Sequence, residues 1–459
     1  MKRILTVAFS SLLILSLTNT ACVKVDFNET EIVDTSTGGG TTPTITTLTG
    51  RIDQSLSLPK GKFTLRGFVY VGSGATLTFA PGSVIVAAND VKTALIIEQG
   101  GRLVADGSAT QPIVFTSSKA VGTRAPSDWG GISICGFAPT NRPLNPAPIT
   151  EGGTNRPYGG TNPNDNSGVL RFVRIEFAGI TAENNSELNG LTLYGVGAGT
   201  LIENVMTGYC GDDGFEFFGG TVNARRLVSF ASGDDDFDFD FGYSGRIQYA
   251  VSLRDKYSDD DPANGIECDN DGTGTSATPV TRPVLSNFTL IGPFDTTGTS
   301  TNGSQHSLGN GNRWRRAARF VFRNSIILGF RAGGVELLSN ETINDYLAGT
   351  SEFKHNLVHS YTVPYKSGNQ ALLTNAAFQA KAEAEGNITL ANRDSAKLTA
   401  PFNLNTPNFL PMAGSPALTG AVYGGVLDNY FTTGTYRGAF GTENWLTGWT
   451  NFNPQTTVY

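Results

Sequence analysis

Apolar and polar residues alternate in short bursts along most of the chain. Four bursts align when set side by side: Asn189-Gly-Leu-Thr-Leu-Tyr194, Asp213-Gly-Phe-Glu-Phe-Phe218, Asp235-Asp-Phe-Asp-Phe-Asp240 and Asn264-Gly-Ile-Glu-Cys-Asp269. A looser copy is Gly333-Gly-Val-Glu-Leu-Leu338. Each opens on a turn residue and continues apolar–polar–apolar–polar, the period of a strand with one buried face. The four starts lie 24, 22 and 29 residues apart. A second set of apolar bursts sits between them, at 201–206, 226–230, 248–253, 287–291 and 324–328. Further strands follow in quick succession at 67–71, 75–79, 83–87, 94–98, 102–105 and 113–116, punctuated by Gly or Pro-Gly turns.

Two or three short strands per unit of twenty-odd residues, with no helical period, predict an all-β solenoid. A propeller blade needs about 40 residues and four strands, and the leucine-rich consensus is absent. The remaining solution is a single parallel β-helix over 47–400. About a dozen coils at about 4.8 Å per strand spacing give a rod on the order of 60 Å long. Solenoid ends must be covered, so 401–459, with Trp445 and Trp449, is expected to form a C-terminal cap.

Composition narrows the function. The 459 residues include 56 Gly and 21 Pro, and a mean hydropathy of −0.14 excludes a polytopic membrane protein. A formal charge of −7 argues against nucleic acid as partner. Four Cys are too few for a disulfide scaffold of this size. Cys135, Cys210 and Cys268 are expected to be buried free thiols, a single disulfide being the alternative. Met1-Lys-Arg3 followed by the apolar stretch 4–17 reads as a secretory signal over 1–21. The run Thr18-Asn-Thr-Ala-Cys22 predicts lipidation of Cys22, although Asn19 stands where an aliphatic residue is usual. Residues 22–46 then form a lipid-bearing flexible tether to the membrane.

Several runs carry a family resemblance: Gly74-Ala-Thr-Leu-Thr-Phe-Ala-Pro-Gly-Ser-Val-Ile85, Gly101-Arg-Leu-Val-Ala-Asp-Gly107, Pro112-Ile-Val-Phe-Thr-Ser117, Trp129-Gly-Gly-Ile132, Asp165-Asn-Ser-Gly-Val-Leu-Arg171 and Gly211-Asp-Asp-Gly-Phe-Glu-Phe217. In these the chain resembles the right-handed β-helix surface lipoproteins common in Bacteroidota. The resemblance implies a right-handed, pectin-lyase-like solenoid anchored at the outer membrane and facing the cell surface. It implies no catalytic residues.

The acidity is local. Residues 211–271 hold thirteen Asp and two Glu against five Lys or Arg. In a coil stack, Phe215, Phe237 and Ile266 point inward, as do Phe217, Phe239 and Cys268. Glu216, Asp238 and Glu267 then form one outward column, and Phe218, Asp240 and Asp269 the next. Turn residues Asp212, Asp213, Asp234, Asp235 and Asp236 stack beside them, with Asp259–Asp261 on a longer excursion. Like charges about 5 Å apart repel by roughly 1 kcal/mol in water, more when partly desolvated. Ca²⁺ satisfies such a column, because it takes 6–8 oxygens in flexible geometry. The alternatives are compensation by Arg225, Arg226, Arg246, Arg254 and Lys256, or Asp side chains bonding turn N–H groups.

Many right-handed β-helices cleave polysaccharides, so Asp212, Asp213, Asp234 and Asp235 are also candidate catalytic carboxylates. Arg254 and Lys256 are the candidate bases of a Ca²⁺-dependent lyase. Neither pattern is complete: His306 comes about seventy residues after Asp235, and no Arg-x-Lys follows it. His355 and His359 fall in a strand-like run and are read as structural. Fold analogy alone is weak warrant for activity. The expected role is therefore non-enzymatic, binding a glycan or an envelope protein. Trp129, Trp314, Trp445 and Trp449 are possible sugar platforms, and loop 294–318, with its basic end Arg313-Trp-Arg-Arg316, is a possible contact site that pairs with the acidic columns.

Overall fold

The computed structural model describes residues 46–183, 186–256, 263–293 and 309–459. Cys22, the signal and nearly all of the tether, Asp259–Asp261, His306 and most of loop 294–318 lie outside the described residues.

One coil explains the rest. Strand Leu191–Tyr194 forms one side. The chain turns at Gly195 and enters Leu201–Gly208, which supplies the other two sides because it bends at Asn204. Phe215–Phe218 then returns over Leu191–Tyr194, in parallel and in register. Repetition gives three parallel ladders wound into a right-handed β-helix. The first ladder runs from 51–52 through 68–71, Ala94–Ile97, Ile132–Cys135, Leu191–Tyr194, Phe215–Phe218, Phe237–Asp240, Ile266–Cys268, Asn310–Trp314 and Gly333–Leu337 to Val363–Ser367. These eleven strands, at about 4.8 Å each, make a rod of roughly 50 Å.

The corner between the second and third ladders is a column of left-handed residues. Phe172, Asn204, Arg226, Tyr249, Asn287, Asn324 and His355 all have φ between 50 and 65°. Asn enters this region at low cost because its short polar side chain bonds locally. A bulky residue there costs about 1–3 kcal/mol.

The lumen is filled by the inward positions of each strand. Phe215 stacks on Phe237 at 5.3 Å and Phe217 on Phe239 at 5.0 Å, all fully buried. Cys135, Cys210 and Cys268 are buried and free. At the far tip, helix Asn375–Ala384, capped by Thr374, lays Phe378 against Tyr346 and Tyr365. The side-chain amide of Asn387 closes that end by donating to the carbonyls of Phe353 and Ala382, each at 2.7 Å.

The segment from 401 onward departs from the expected end cap. Most of it lies as a strap along the flank of the rod. Its apolar residues Phe409, Ala439, Phe440 and Trp449 pack on outward side chains of the third ladder, among them Val228, Phe230, Val251, Ile291 and Leu328. The strap is also tied at the corner column and beside it: Asn324 donates to Val422 O, Asn287 to Tyr436 O and Gly438 O, and Gln248, next to the corner Tyr249, to Thr432 O. The physical reason is the apolar outer face of the third ladder, which a terminal cap would leave in water.

Candidate metal centre

Each strand of the first ladder in the acidic region is preceded by an Asx residue, and these residues form a ladder of their own. Asn189 Oδ1 accepts the N–H of Asp213 at 3.1 Å, Asp213 Oδ1 that of Asp235 at 2.8 Å, Asp235 Oδ1 that of Asn264 at 2.5 Å, and Asn264 Oδ1 that of Asn310 at 2.9 Å. One side-chain oxygen per coil thus satisfies a turn N–H of the next coil, which the buried backbone requires. Glycine follows the Asx residue because the coils touch there: a Cβ on Gly190 would sit 2.5 Å from Gly214 O.

The second side-chain atom decides the chemistry. Where the rung is Asn, its amide donates to a carboxylate of the outward column: Asn189 to Glu216, Asn264 to Glu267 at 3.4 Å, Asn310 to Glu336 at 3.1 Å. Where the rung is Asp213 or Asp235, the same place holds a carboxylate oxygen. Three groups of carboxylates result, each with oxygens within 4.8 Å of one another: Asp212, Asp213 and Asp234; Asp213, Glu216 and Asp238; Asp235, Asp238 and Glu267. They share Asp213 and Asp238, so they form one continuous cluster. Asp238 Oδ1 is buried and has no hydrogen-bond donor. Burial first, and neighbouring carboxylates second, push Asp213, Glu216, Asp235 and Asp238 well above the usual carboxylate range. Glu267 is pushed up to about 7 by burial, although Arg315 pulls it down.

Cations close the cluster on the side of Glu267. Glu267 pairs with Arg313 at 3.4 Å and with Arg315. Asp269 pairs with Arg315 at 2.8 Å and Arg316 at 2.7 Å, and Glu336 with Arg313 at 3.1 Å and Lys366 at 2.7 Å. The outward column therefore alternates in sign from Glu267 through Arg313 and Glu336 to Lys366. On the other side, above Glu216, the column continues as neutral Thr192.

A family model for a pectate-lyase-like beta helix domain matches residues 50–400. The chain belongs to that family. No curated protein and no solved structure matches it.

Within this pectate-lyase-like β-helix, seven of the ten metal-ligand candidates come together, and Asp236, Asp240 and Asp269 do not. Asp236 occupies the position that is glycine in neighbouring coils. Its side chain is fully buried on Arg254 at 3.0 Å, Ser229 at 2.7 Å and Ser252. Asp240 Oδ1 accepts the N–H of Phe241 at 2.6 Å. Arg254 also donates to the carbonyls of Ser232, Asp234 and Asn264. It is a buried structural cation beneath the cluster, not a base beside it. Lys256 sits half-buried where the described chain stops.

Of the expected compensators, Arg254 does neutralise an Asp of the acidic segment, Asp236, whereas Arg225, Arg226 and Arg246 turn elsewhere. Arg225 lies over the Tyr430 ring at 4.4 Å, Arg226 pairs with Glu203 at 2.5 Å, and Arg246 with Asp428 at 2.6 Å. Their strands belong to another side of the triangle, turned toward the strap. Trp129, Trp314 and Trp449 are buried, which removes them as sugar platforms. The residues that sequence reasoning missed are Asn189, Asn264 and Asn310. Their signal was visible, an Asn before Gly at 189–190, 264–265 and 310–311.

Proposed function

We propose that this pectate-lyase-like β-helix is a glycan-binding envelope protein whose acidic face is structured by Ca²⁺ and which does not cleave its ligand. One observation carries the reading: Asp stands at two consecutive rungs, 213 and 235, where the flanking rungs use Asn. That exchange removes two amide donors and adds two charges inside a nearly buried cluster. Asp212, Asp213, Glu216, Asp234, Asp235, Asp238 and Glu267 offer the oxygen-only donor set that Ca²⁺ takes. The family supports a polysaccharide-related role. The burial of Arg254 speaks against its use as a lyase base. In the same reading Cys22 carries lipid and holds the rod at the outer membrane and cell surface, where a glycan or an envelope protein is the partner.

The test is calorimetric titration of the mature protein with Ca²⁺, with thermal melting in Ca²⁺ and in chelator. Saturating Ca²⁺ at about 100 times Kd stabilises the folded chain by about 2.7 kcal/mol. The double variant Asp213→Asn/Asp235→Asn is expected to fold, because it extends the Asn rungs, and to lose the Ca²⁺-dependent shift. Identical melting in chelator and in Ca²⁺ would sink the metal reading. Release of unsaturated uronates from a polygalacturonate would replace binding by lyase chemistry.

A further inference from the structure

The strap does not lie flush along the rod. Between it and the corner column is a groove of about 260 Å³ lined by Arg226, Tyr249, Tyr436, Thr442, Glu443 and Trp445, among others. Arg226 and Tyr249 are corner residues of successive coils, since their strands pair in register. Both are left-handed, at φ 57 and 65°. The corners at 204, 287 and 324 hold that backbone with Asn. Two adjacent corners therefore carry strained large side chains, and both line the same groove. Strain retained at neighbouring positions marks a site when the side chains converge.

The walls have a defined chemistry. Tyr436 lies parallel to Tyr249 within 21°, ring centres 6.4 Å apart. Trp445 is fixed by stacking on Phe440 at 5.1 Å and by its Nε1 donating to Ala439 O at 2.8 Å. Arg226 uses Nη1 on Glu203, which leaves its other nitrogens available to a ligand. Glu443 and Thr442 are exposed on the facing wall. Aromatic faces accept the C–H face of a sugar ring, while a guanidinium and a carboxylate take its rim of hydroxyls. Arg226 is balanced by Glu203, so Glu443 repels an added anion. We infer that this groove binds one uncharged sugar unit of a glycan, at the strap and away from the acidic cluster.

This assignment rests on the glycan-binding part of the reading above. The experiment is saturation-transfer NMR and tryptophan-fluorescence titration of the full chain. The probes are neutral gluco-, manno- and galacto-oligosaccharides, with an oligogalacturonate as acidic control. The variants are Tyr249→Asn, which installs the usual corner residue, and Glu443→Gln. A neutral oligosaccharide is expected to bind, and each variant to weaken it at least about tenfold, with melting unchanged in Glu443→Gln, whose side chain is exposed. Asp213→Asn/Asp235→Asn should bind it as the wild type does. Neutral binding that both groove variants leave intact would overturn the groove while sparing glycan binding. A preference for oligogalacturonate would overturn the uncharged ligand. Silence across the whole panel would overturn both readings.

Discussion

Asn189, Asp213, Asp235, Asn264 and Asn310 occupy equivalent places, yet they divide into two chemistries according to the second atom of the side chain. In the metal-free protein the carboxylates at 213, 216, 235, 238 and 267 sit above their unfolded values of roughly 4. The folded state then binds more protons than the unfolded one. Stability is present at low pH and is lost as pH rises from about 4 through the folded values, for Glu267 about 7. In chelator, Tm should therefore rise when pH falls from 7.5 to 5; in Ca²⁺ the rise should shrink, because ion and protons compete for the same oxygens. A flat profile in chelator would contradict the burial of the cluster. Asp236 and Arg254 test the opposite case. Arg254→Met leaves a carboxylate buried and unpaired, so urea unfolding should show a loss of about 3–5 kcal/mol. Stacking of the outward columns was legible from the alternation alone. The fate of Asp236 was not, because nothing in Asp-Asp-Asp says which carboxylate turns inward; the buried Ser229, Ser252 and Arg254 decide that.

At the scale of elements, the strands at 201–208, 223–230, 246–253 and 284–291 read as single bursts, yet each serves two ladders. The apolar period passes straight through the left-handed corner, so hydropathy conceals the bend. Asn204, Asn287 and Asn324 hint at it, whereas Arg226 and Tyr249 hide it. Stacked phenylalanines hold the sides together. Phe237 touches Phe215 below and Phe288 across the lumen at 5.6 Å, so Phe237→Ala should cost about 3–5 kcal/mol by chemical denaturation. A loss below about 1 kcal/mol would mean that the lumen is loosely packed. The strap was legible as a separate element but not in its course. Its partners are the outward apolar residues of the third ladder, which sequence reasoning assigned to no surface. Removing 449–459 deprives Glu176 of Tyr459, bonded at 2.6 Å, and Arg174 of the Trp449 carbonyl at 2.9 Å. The truncated chain should melt at lower temperature, with the early coils gaining amide exchange first; uniform exchange along the rod would count against the strap's role.

For the whole molecule, the repeat period was enough to name a parallel β-helix, since every coil buries the same face against its neighbours. The third ladder, from 47–49 to 388–389, has the expected dozen strands, and excursions such as 136–167 and 269–283 take up chain without adding a strand to the first ladder. The closing contacts of the strap have a mechanical consequence. Tyr459 O accepts from Lys62 at 3.2 Å, and Arg124 donates to the carbonyls of Pro454 and Thr457. The last residues of the chain thus sit beside the first coils, and the rod is a hairpin with both leads at one end. A pull applied between its two termini would shear the strap from the flank before any coil felt tension. A fluorophore fused after Tyr459 would mark the base of the rod, and its opposite tip, helices Asn340–Leu347 and Asn375–Ala384, would remain free to meet whatever lies beyond.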